Sequence, residues 1–194
     1  MTTIRVGDAQ RQLPELVAAT AHTGETFEIV ADGARAAVLL GANRYDGLLE
    51  TIALLSDPAM LGAHEAGVAE IAAGDVLDAD ALALGMREAG RDPGAANRPA
   101  PVASHHRLVV ARSAALALID TVRTPDALAL FGLLTGPLVD DPRAVGTELS
   151  APALSILYSC QRGANRVVFR IDEVRRIVEV TAIGPRADAY ADHR

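Results

Sequence analysis

Apolar and polar positions divide the chain into two runs of regular structure, separated by a stretch with neither the helical nor the strand period. In the first run, the pattern predicts a short strand, a helix over residues 8–22, and two apolar strands around an Asp32–Gly33 turn. Apolar residues three and four positions apart predict a second helix from Asn43. Asp57–Pro58 predicts the start of a third helix, and Asp78 that of a shorter acidic one. The first run is therefore predicted as a helix–hairpin–helices unit.

The second run predicts a β–α–α–β–β–β order. A strand "HRLVVA" precedes two helices, and three apolar strands follow, "LSILYSC", "NRVVFRID" and "RRIVEVTAIG". This order predicts an α+β domain with both helices on one face of an antiparallel sheet. On the middle strand, alternation separates an apolar face from a second face that we expect to be exposed. The apolar face has Val167, Phe169 and Ile171, and the exposed face has Arg166, Val168 and Arg170.

The stretch "RDPGAANRPAPVAS", residues 91–104, divides the two runs. It holds three of the ten prolines and is predicted to be an extended linker between domains at 1–90 and 105–194. Residues 1–95 carry 6 Arg against 15 acidic residues, a balance of −9. Residues 96–194 carry 12 Arg against 10 acidic residues, a balance of +2. The basic second half can therefore approach an anionic partner, and the acidic first half can neutralise the second half.

The composition excludes several kinds of site. All 18 basic residues are Arg, and Cys160 is the only cysteine, which excludes a disulfide framework and a cysteine-based zinc site. The pair His105–His106 is too small a ligand set for a metal, so we expect neither metal nor cofactor. The chain has no signal-peptide pattern and no long uncharged apolar run, so we expect a soluble cytoplasmic protein without a membrane partner.

Two families resemble the two runs. The stretches "AQRQLPELV", "GETFEIVADGARAAVLL" and "NRYDGLLETIALLSDPAM", over about residues 1–60, resemble the Phd/YefM antitoxins. The stretches "DDPRAVGTEL", "QRGANRVVFRID" and "VEVTAIGPRADAY", over about residues 106–190, resemble the RelE/ParE toxin superfamily. The chain therefore looks like an antitoxin-like unit fused to a toxin-like unit.

The Phd/YefM resemblance implies a homodimer formed through the N-terminal domain, operator-DNA binding and neutralisation of a toxin by a C-terminal segment. The candidate DNA-binding residues of the first unit are Arg5, Arg11 and Arg35. The −9 balance of residues 1–95 weakens this expectation, because DNA repels negative charge. The apolar stripe of the second helix is expected to be core, shared between two subunits: Tyr45, Leu48, Leu49, Ile52 and Leu55.

The RelE resemblance implies a metal-independent ribonuclease that cuts mRNA in the ribosome, whereas ParE members act on DNA gyrase. By this resemblance the candidate catalytic residues are Arg162, Arg166, Arg186 and Tyr190. Arg166 and Arg186 would stabilise the phosphate, and Tyr190 would orient the base or the reacting group. Arg170, on the same face as Arg166, is a further candidate RNA contact. The strand before the hairpin reads "LYSCQ" where RelE ribonucleases often carry lysines that help with proton transfer. The sequence therefore gives no efficient group for the proton-transfer step.

Two other interpretations of these arginines stay open. They can form an ordinary solvated face, or they can bind acidic residues of the first unit, for which the candidates are Asp75, Asp78, Asp80 and Glu88. The first functional hypothesis is therefore a fused, self-neutralised ribonuclease toxin. The alternative is a non-catalytic dimeric DNA-binding regulator, or a ParE-like gyrase-binding toxin with a degenerate ribonuclease site.

Overall fold

The computed structural model describes residues 1–94, 105–149 and 157–185. The chain divides into two compact units, residues 1–49 and residues 50–194. This boundary differs from the predicted one, because residues 50–88 cluster with the C-terminal part of the chain rather than with the N-terminal part. The predicted domain division at residues 91–104 is therefore not the division into compact units.

The first unit is a small sheet with helices. It contains β1 (Thr2–Arg5), α1 (Val6–Arg11), α2 (Leu13–Thr23), β2 (Phe27–Ala31), β3 (Ala34–Leu39) and the start of α3 (Ala42–Leu55). The sheet order is β1-β2-β3, with β1 parallel and β3 antiparallel to β2. The predicted hairpin turn is confirmed, with φ of 50° at Asp32 and 76° at Gly33.

The helix predicted over residues 8–22 is divided in two at Gln12. Pro14 lies in the first turn of α2, where a missing backbone N–H costs nothing, so the chain begins a new helix there. The two helices and the strands enclose a small core of Ala9, Leu16 and Phe27.

The second unit carries the larger sheet. Its helices after α3 are α4 (Pro58–Ala73), α5 (Ala79–Glu88), α6 (Arg112–Leu116), α7 (Thr124–Thr135), α8 (Pro137–Asp140) and α9 (Pro142–Val145). A π-helical turn at Ala117–Thr121 continues α6. Its strands are β4 (Val76–Leu77), β5 (Arg107–Ala111), β6 (Thr147–Glu148), β7 (Leu157–Arg162), β8 (Asn165–Asp172) and β9 (Ile177–Pro185).

The six strands lie in the order β4-β5-β9-β8-β7-β6. The predicted hairpin of the last two strands is confirmed, since β8 and β9 are antiparallel. The prediction of a wholly antiparallel sheet is wrong at one place, because β5 lies parallel to β9. Helices α6 and α7 lie between β5 and the later strands, and such a crossover connection allows a parallel pairing.

The two faces of this sheet are both covered. On one face, Val167 and Phe169 belong to a core that also contains residues of α6 and α7, as the alternation predicted. On the other face, Val168 is fully buried in a second core with Leu54 of α3 and Met60 of α4. The prediction that this second face is exposed is therefore wrong, because residues 50–73 lie over it. We call residues 50–73, the end of α3 together with α4, the covering segment.

Helix α4 touches the sheet through its backbone. A Cβ built on Gly67 would lie 2.0 Å from the carbonyl oxygen of Thr181 in β9, a distance that no side chain can occupy. One turn earlier, His64 Nδ1 is 2.8 Å from Thr181 Oγ1, and that hydroxyl donates to the carbonyl oxygen of Val168 at 3.1 Å. The absence of a side chain at Gly67 thus sets how closely α4 approaches β9.

The chain after α4 is also bound to the second unit. Strand β4 extends the sheet beside β5, and Leu82 and Met86 of α5 are completely buried. Arg91, predicted as the first linker residue, donates from Nη1 to the carbonyl oxygens of Leu118 and Val122 at 2.9 and 2.6 Å. These bonds satisfy carbonyl groups at the end of the π-helical turn. The rest of the predicted linker, from residue 95, lies outside the described residues.

The two glycines of α4 predict opposite effects of the same substitution. Gly67→Ala should lower the free energy of unfolding by about 1–3 kcal/mol, because its methyl group has no room against Thr181. Gly62→Ala should be neutral or stabilising by up to about 1 kcal/mol, because the space around Gly62 is open and Ala favours helix. Urea unfolding of both variants checks this, and equal midpoints would contradict the described packing of α4.

Candidate functional site

Arg166 lies on the covered face of the sheet. It is the second residue of β8, and its side chain is 1 % exposed. A guanidinium group keeps its positive charge in any protein environment, and burying that charge is costly unless an anion accompanies it. The position of Arg166 therefore requires a partner from the elements that cover it.

That partner is Glu50. Its Oε2 lies 3.2 Å from Arg166 Nε, although the geometry is not that of a hydrogen bond. Ser159 Oγ donates to the same carboxylate oxygen at 3.1 Å, and the Gln161 amide donates to Oε1. Three side chains of β7 and β8 thus converge on one carboxylate of the covering segment. We call Arg166, Ser159 and Gln161 the Arg166 cradle.

The local structure explains this convergence. Ser159 and Gln161 are two residues apart on β7 and point to the same face, and Gln161 pairs directly with Arg166 on β8. Glu50 and Leu54 are one turn apart on α3 and share a helix face. Since Leu54 packs in the core that contains Val168, Glu50 is held beside Arg166.

Arg170, the candidate RNA contact, has a different partner. Its Nη2 donates to Glu179 Oε2 at 2.7 Å, and the two residues pair directly between β8 and β9. Arg170 is thus neutralised by its own sheet, whereas Arg166 is neutralised by the covering segment.

Arg162, at the β7–β8 turn, is exposed. Arg186 and Tyr190 lie outside the described residues. The structure therefore brings Arg166 together with Ser159, Gln161 and Glu50, none of which was a predicted site residue. Glu50 has a signal in the sequence: it is the only charged residue between Asp46 and Asp57, in an otherwise apolar helix stretch.

The acidic residues predicted to neutralise the arginines lie elsewhere. Asp75 is 3.7 Å from Arg112, and Asp78 caps α5 by accepting from Ala81 N at 2.9 Å. Asp80 and Glu88 are exposed. In residues 1–94, 105–149 and 157–185, the acidic partners found for Arg166 and Arg170 are Glu50 and Glu179.

A second carboxylate of the covering segment also binds the sheet domain. Glu70 Oε2 accepts from Ser113 N at 2.8 Å and from Ser113 Oγ at 2.9 Å, in the first turn of α6. These bonds satisfy one of the free N–H groups at the start of that helix. The covering segment is thus attached by polar contacts near both of its ends.

The candidate DNA-binding arginines occupy the first unit. Arg5 and Arg11 line one concave surface, together with Asp8 and Asp32. Arg11 forms an ion pair with Asp8, and Arg35 Nε lies 3.8 Å from Glu28. Arg11 on this surface, and Arg35 elsewhere in the first unit, thus have acidic neighbours, in agreement with the negative balance of this half of the chain.

Cys160 and Tyr158, two titratable side chains of β7, lie on the opposite face of the sheet. Burial, with a smaller contribution from Glu50, raises the pKa of Cys160 to about 12, so its thiol is protonated at neutral pH. Burial and the nearby Glu148 also raise the pKa of Tyr158, whose hydroxyl accepts from Arg143 at 2.8 Å. Both side chains belong to the core on the far side of the sheet and are not directed toward Arg166. The Arg166 cradle can therefore hold negative charge, and its own members provide no general base.

In the part of the chain that the structure describes, no group of His, Cys, Asp and Glu is arranged to hold a metal ion. Within the same residues, no helix has the length and apolar character needed to cross a membrane.

Comparison with known proteins relates part of the chain to toxin–antitoxin systems. Residues 1–74 match the family model of antitoxin Phd_YefM, type II toxin-antitoxin system. No curated protein matches the chain significantly. A chain of the toxin–antitoxin complex RelBE2 from Mycobacterium tuberculosis is similar at 23% identity, over 42% of this chain and 99% of that one, with a TM-score of 0.39. The family match ends at the C-cap of α4 and includes the whole covering segment.

The ion pair between Glu50 and Arg166 predicts strongly non-additive effects of substitution. Glu50→Ala should lower the free energy of unfolding by about 3–5 kcal/mol, because it leaves a buried guanidinium without a counter-charge. Glu50→Leu combined with Arg166→Met should cost much less than the sum of the two single changes, because no buried charge remains. Chemical denaturation of the double-mutant cycle measures the coupling, and additive effects would contradict the pair.

His64 predicts a specific loss of stability in mild acid. Burial lowers its pKa from 6.5; the charge of Arg170 lowers it further, and Glu65 opposes the shift. The unfolded chain then binds a proton before the folded chain does, so stability falls as the pH drops from 6.5 toward the lower folded pKa. The slope should be at most about 1.4 kcal/mol per pH unit. Urea unfolding between about pH 5 and 7.5 should show this pH dependence of the free energy of unfolding in the wild type and its loss in His64→Gln. The same pH dependence in both proteins would refute the role of His64.

Proposed function

We propose that the chain is a type II toxin–antitoxin fusion in which an antitoxin-like part, residues 1–90, keeps a RelE-like ribonuclease part, residues 105–194, inactive. Residues 91–104 are the proposed linker. One observation carries the proposal: residues 50–73, within the stretch that matches the antitoxin family, cover the sheet face that holds Arg166. The cytoplasm, where mRNA and ribosomes are found, is the proposed location.

Covalent connection makes such inhibition intramolecular. A short linker gives the covering segment an effective concentration on the order of millimolar at its own target, provided that the linker spans the sites. The attachments at Glu50, Gly67, Glu70 and Arg91 then act together. Release of the sheet face requires that several of them break, for example after proteolysis of the antitoxin-like part.

The proposed reaction is attack of a ribose 2′-hydroxyl on the adjacent phosphate of mRNA, without a metal. Arg166 would stabilise the negative charge that develops on the phosphate, and exposed Arg162 would bind the RNA at the turn. Arg186 and Tyr190 keep their proposed roles at the phosphate and the base. Arg170 is a weaker candidate for RNA contact, because Glu179 already neutralises it. The strand before the hairpin has no lysine that could transfer protons, so cleavage should be slow.

A second candidate function is that of a dimeric DNA-binding regulator whose toxin-like part does not cleave RNA. Its candidate operator contact is the concave surface with Arg5 and Arg11, where the acidic neighbours Asp8 and Asp32 would weaken binding to DNA. The apolar stripe of α3, expected as core, is largely exposed in the single chain: Tyr45 is 52% exposed, Leu48 38%, Ile52 57% and Leu55 51%. These side chains support the proposed homodimer, because a stripe of this kind is buried when a second subunit packs on it.

Growth assays with the full chain test the main proposal. Induced Gly67→Ala should slow growth, because it detaches α4 from β9, whereas Gly62→Ala and the wild type should be harmless. Addition of Arg166→Ala to Gly67→Ala should restore growth, and the purified Gly67→Ala protein should cut ribosome-bound mRNA.

Two outcomes decide against this proposal. If hydrogen exchange shows that α4 is released in Gly67→Ala and growth is still normal, the fusion is not a self-neutralised toxin. If growth is arrested without mRNA cleavage, a supercoiling assay on the same protein separates the gyrase alternative from the ribonuclease.

A further inference from the structure

We infer that the carbonyl oxygens of Leu118, Asp120 and Val122 form a binding site for a guanidinium cation, which Arg91 occupies in the intact chain. We call these three oxygens the carbonyl socket. The socket lies at the end of the π-helical turn that continues α6, and it shares no residue with the Arg166 cradle. In the full chain it fixes the point at which the polypeptide leaves α5 for the proposed linker. The inference goes beyond the proposed function and does not depend on it.

The socket accepts from two different nitrogen atoms. Arg91 Nη1 donates to the carbonyl oxygens of Leu118 at 2.9 Å and Val122 at 2.6 Å, and Nη2 lies 3.5 Å from that of Asp120. A guanidinium group is planar and carries donors on both terminal nitrogens, so its fork can reach oxygens that are spread along one helical turn. An ammonium group has a single nitrogen and cannot occupy both donor positions. The geometry thus selects guanidinium over ammonium.

The end of the helical turn explains why these oxygens attract a cation. The turn ends at Thr121, and Val122 has an extended backbone with φ of −70° and ψ of 138°. The last carbonyl groups of a helix lack the N–H groups of a following turn and form the negative end of its dipole. Among the described residues, Arg91 forms no ion pair with a carboxylate. Its charge is therefore held by carbonyl dipoles, and hydrogen-bond geometry determines which cation fits.

The chain before the socket presents Arg91 in a fixed direction. Gly90, with φ of 74°, donates from its N–H to the carbonyl oxygen of Arg87 at 2.9 Å. The N–H of Arg91 donates to the carbonyl oxygen of Met86 at 2.8 Å. These two bonds form a Schellman motif, which ends α5 and turns the chain back. Met86 is completely buried in the same core as Leu118, so packing holds α5 and the socket together.

The socket can receive a free ligand when Arg91 is shortened. Arg91 is only partly buried, so a small cation can reach the socket from solvent. The substitution Arg91→Ala keeps Cβ and removes Cγ, Cδ and the guanidinium group, which together are the heavy atoms of ethylguanidinium. We therefore expect ethylguanidinium to refill the socket of this variant.

The experiment is thermal unfolding of full-length Arg91→Ala in the chlorides of ethylguanidinium, ethylammonium and sodium at equal ionic strength. At an ethylguanidinium concentration about tenfold above Kd, its Tm should rise by about 3–6 °C relative to ethylammonium. The wild type should show no rise, because Arg91 fills the socket. Arg91→Met should show none, because an uncharged side chain occupies the same space. Arg87→Ala removes an exposed arginine of the same helix and should respond like the wild type.

A site-specific measurement accompanies this titration. In Arg91→Ala labelled at the leucine and valine carbonyl carbons, ethylguanidinium should shift the nuclear magnetic resonance signals of Leu118 and Val122, and ethylammonium should not. If Arg91→Ala is unfolded in sodium chloride, recovery of the folded circular-dichroism signal with ethylguanidinium takes the place of the Tm.

A response of Arg91→Ala equal to that of Arg87→Ala, or an equal response to ethylammonium, overturns the inference. A rise in Tm that leaves the Leu118 and Val122 carbonyl signals unchanged also overturns it. Ethylguanidinium binding together with normal growth of Gly67→Ala that has released α4 would remove the proposed function alone. Arrested growth of Gly67→Ala with mRNA cleavage, but without ethylguanidinium binding to Arg91→Ala, would remove this inference alone.

Discussion

A buried guanidinium group is the constraint on which the second unit depends. Arg166 is among the largest side chains that the structure buries completely, and it carries a guanidinium charge into the core. A charge in that position needs an anion close by, and among the described residues the neighbouring strand contributes the neutral donors Ser159 and Gln161. The anion comes from α3, so the sheet and the covering segment are electrostatically incomplete without each other. In this respect Arg166 differs from Arg170, which has its counter-charge on the neighbouring strand.

The covering segment combines this electrostatic requirement with close packing. Leu54 and Met60 bury Val168, and Gly67 allows the helix backbone to reach Thr181. Burial and the charge of Arg170 lower the pKa of His64, which lies between Met60 and Gly67, so acid adds a positive charge where one is already present. The same contacts that stabilise the fold thus also decide whether the face with Arg166 is accessible. This links stability and the proposed inhibition, because Leu54 of α3 and Met60 of α4 pack in one core over the sheet face that carries Arg166.

Much of the architecture was predictable from local pattern. The hairpin at Asp32–Gly33, the alternation of β8 and the β8–β9 hairpin each follow from the residues of a short stretch. The parallel pairing of β5 with β9 did not follow, because it joins segments about 70 residues apart and depends on the crossover between them. The covered face was also mispredicted: alternation separates two faces of a strand, but it does not say which distant helix packs on the second one.

The candidate site, like the fold, was predictable only in part from local sequence. Resemblance to the RelE toxins predicts Arg166 as a site residue, but the sequence points to the acidic stretch around Asp78 for its partner rather than to α3. A single acid in an apolar helix, such as Glu50, signals a buried charge partner, but only the tertiary fold identifies that partner as Arg166. Acid-rich segments attract attention in a sequence, yet most of their members are solvated, as Asp80 and Glu88 are.

Helix α4 lies on the sheet face that carries Arg166, and a contact between Met60 and β9 reports this packing. A Cβ placed on Gly184 would be 2.9 Å from Met60 Cε, so the two residues touch in the folded chain. A nuclear Overhauser spectrum of the full chain with labelled methionine methyl groups should show a cross-peak from the Met60 methyl group to the Gly184 Hα protons at neutral pH. A Met60 methyl group with cross-peaks only to its own helix would show that α4 does not pack on the sheet.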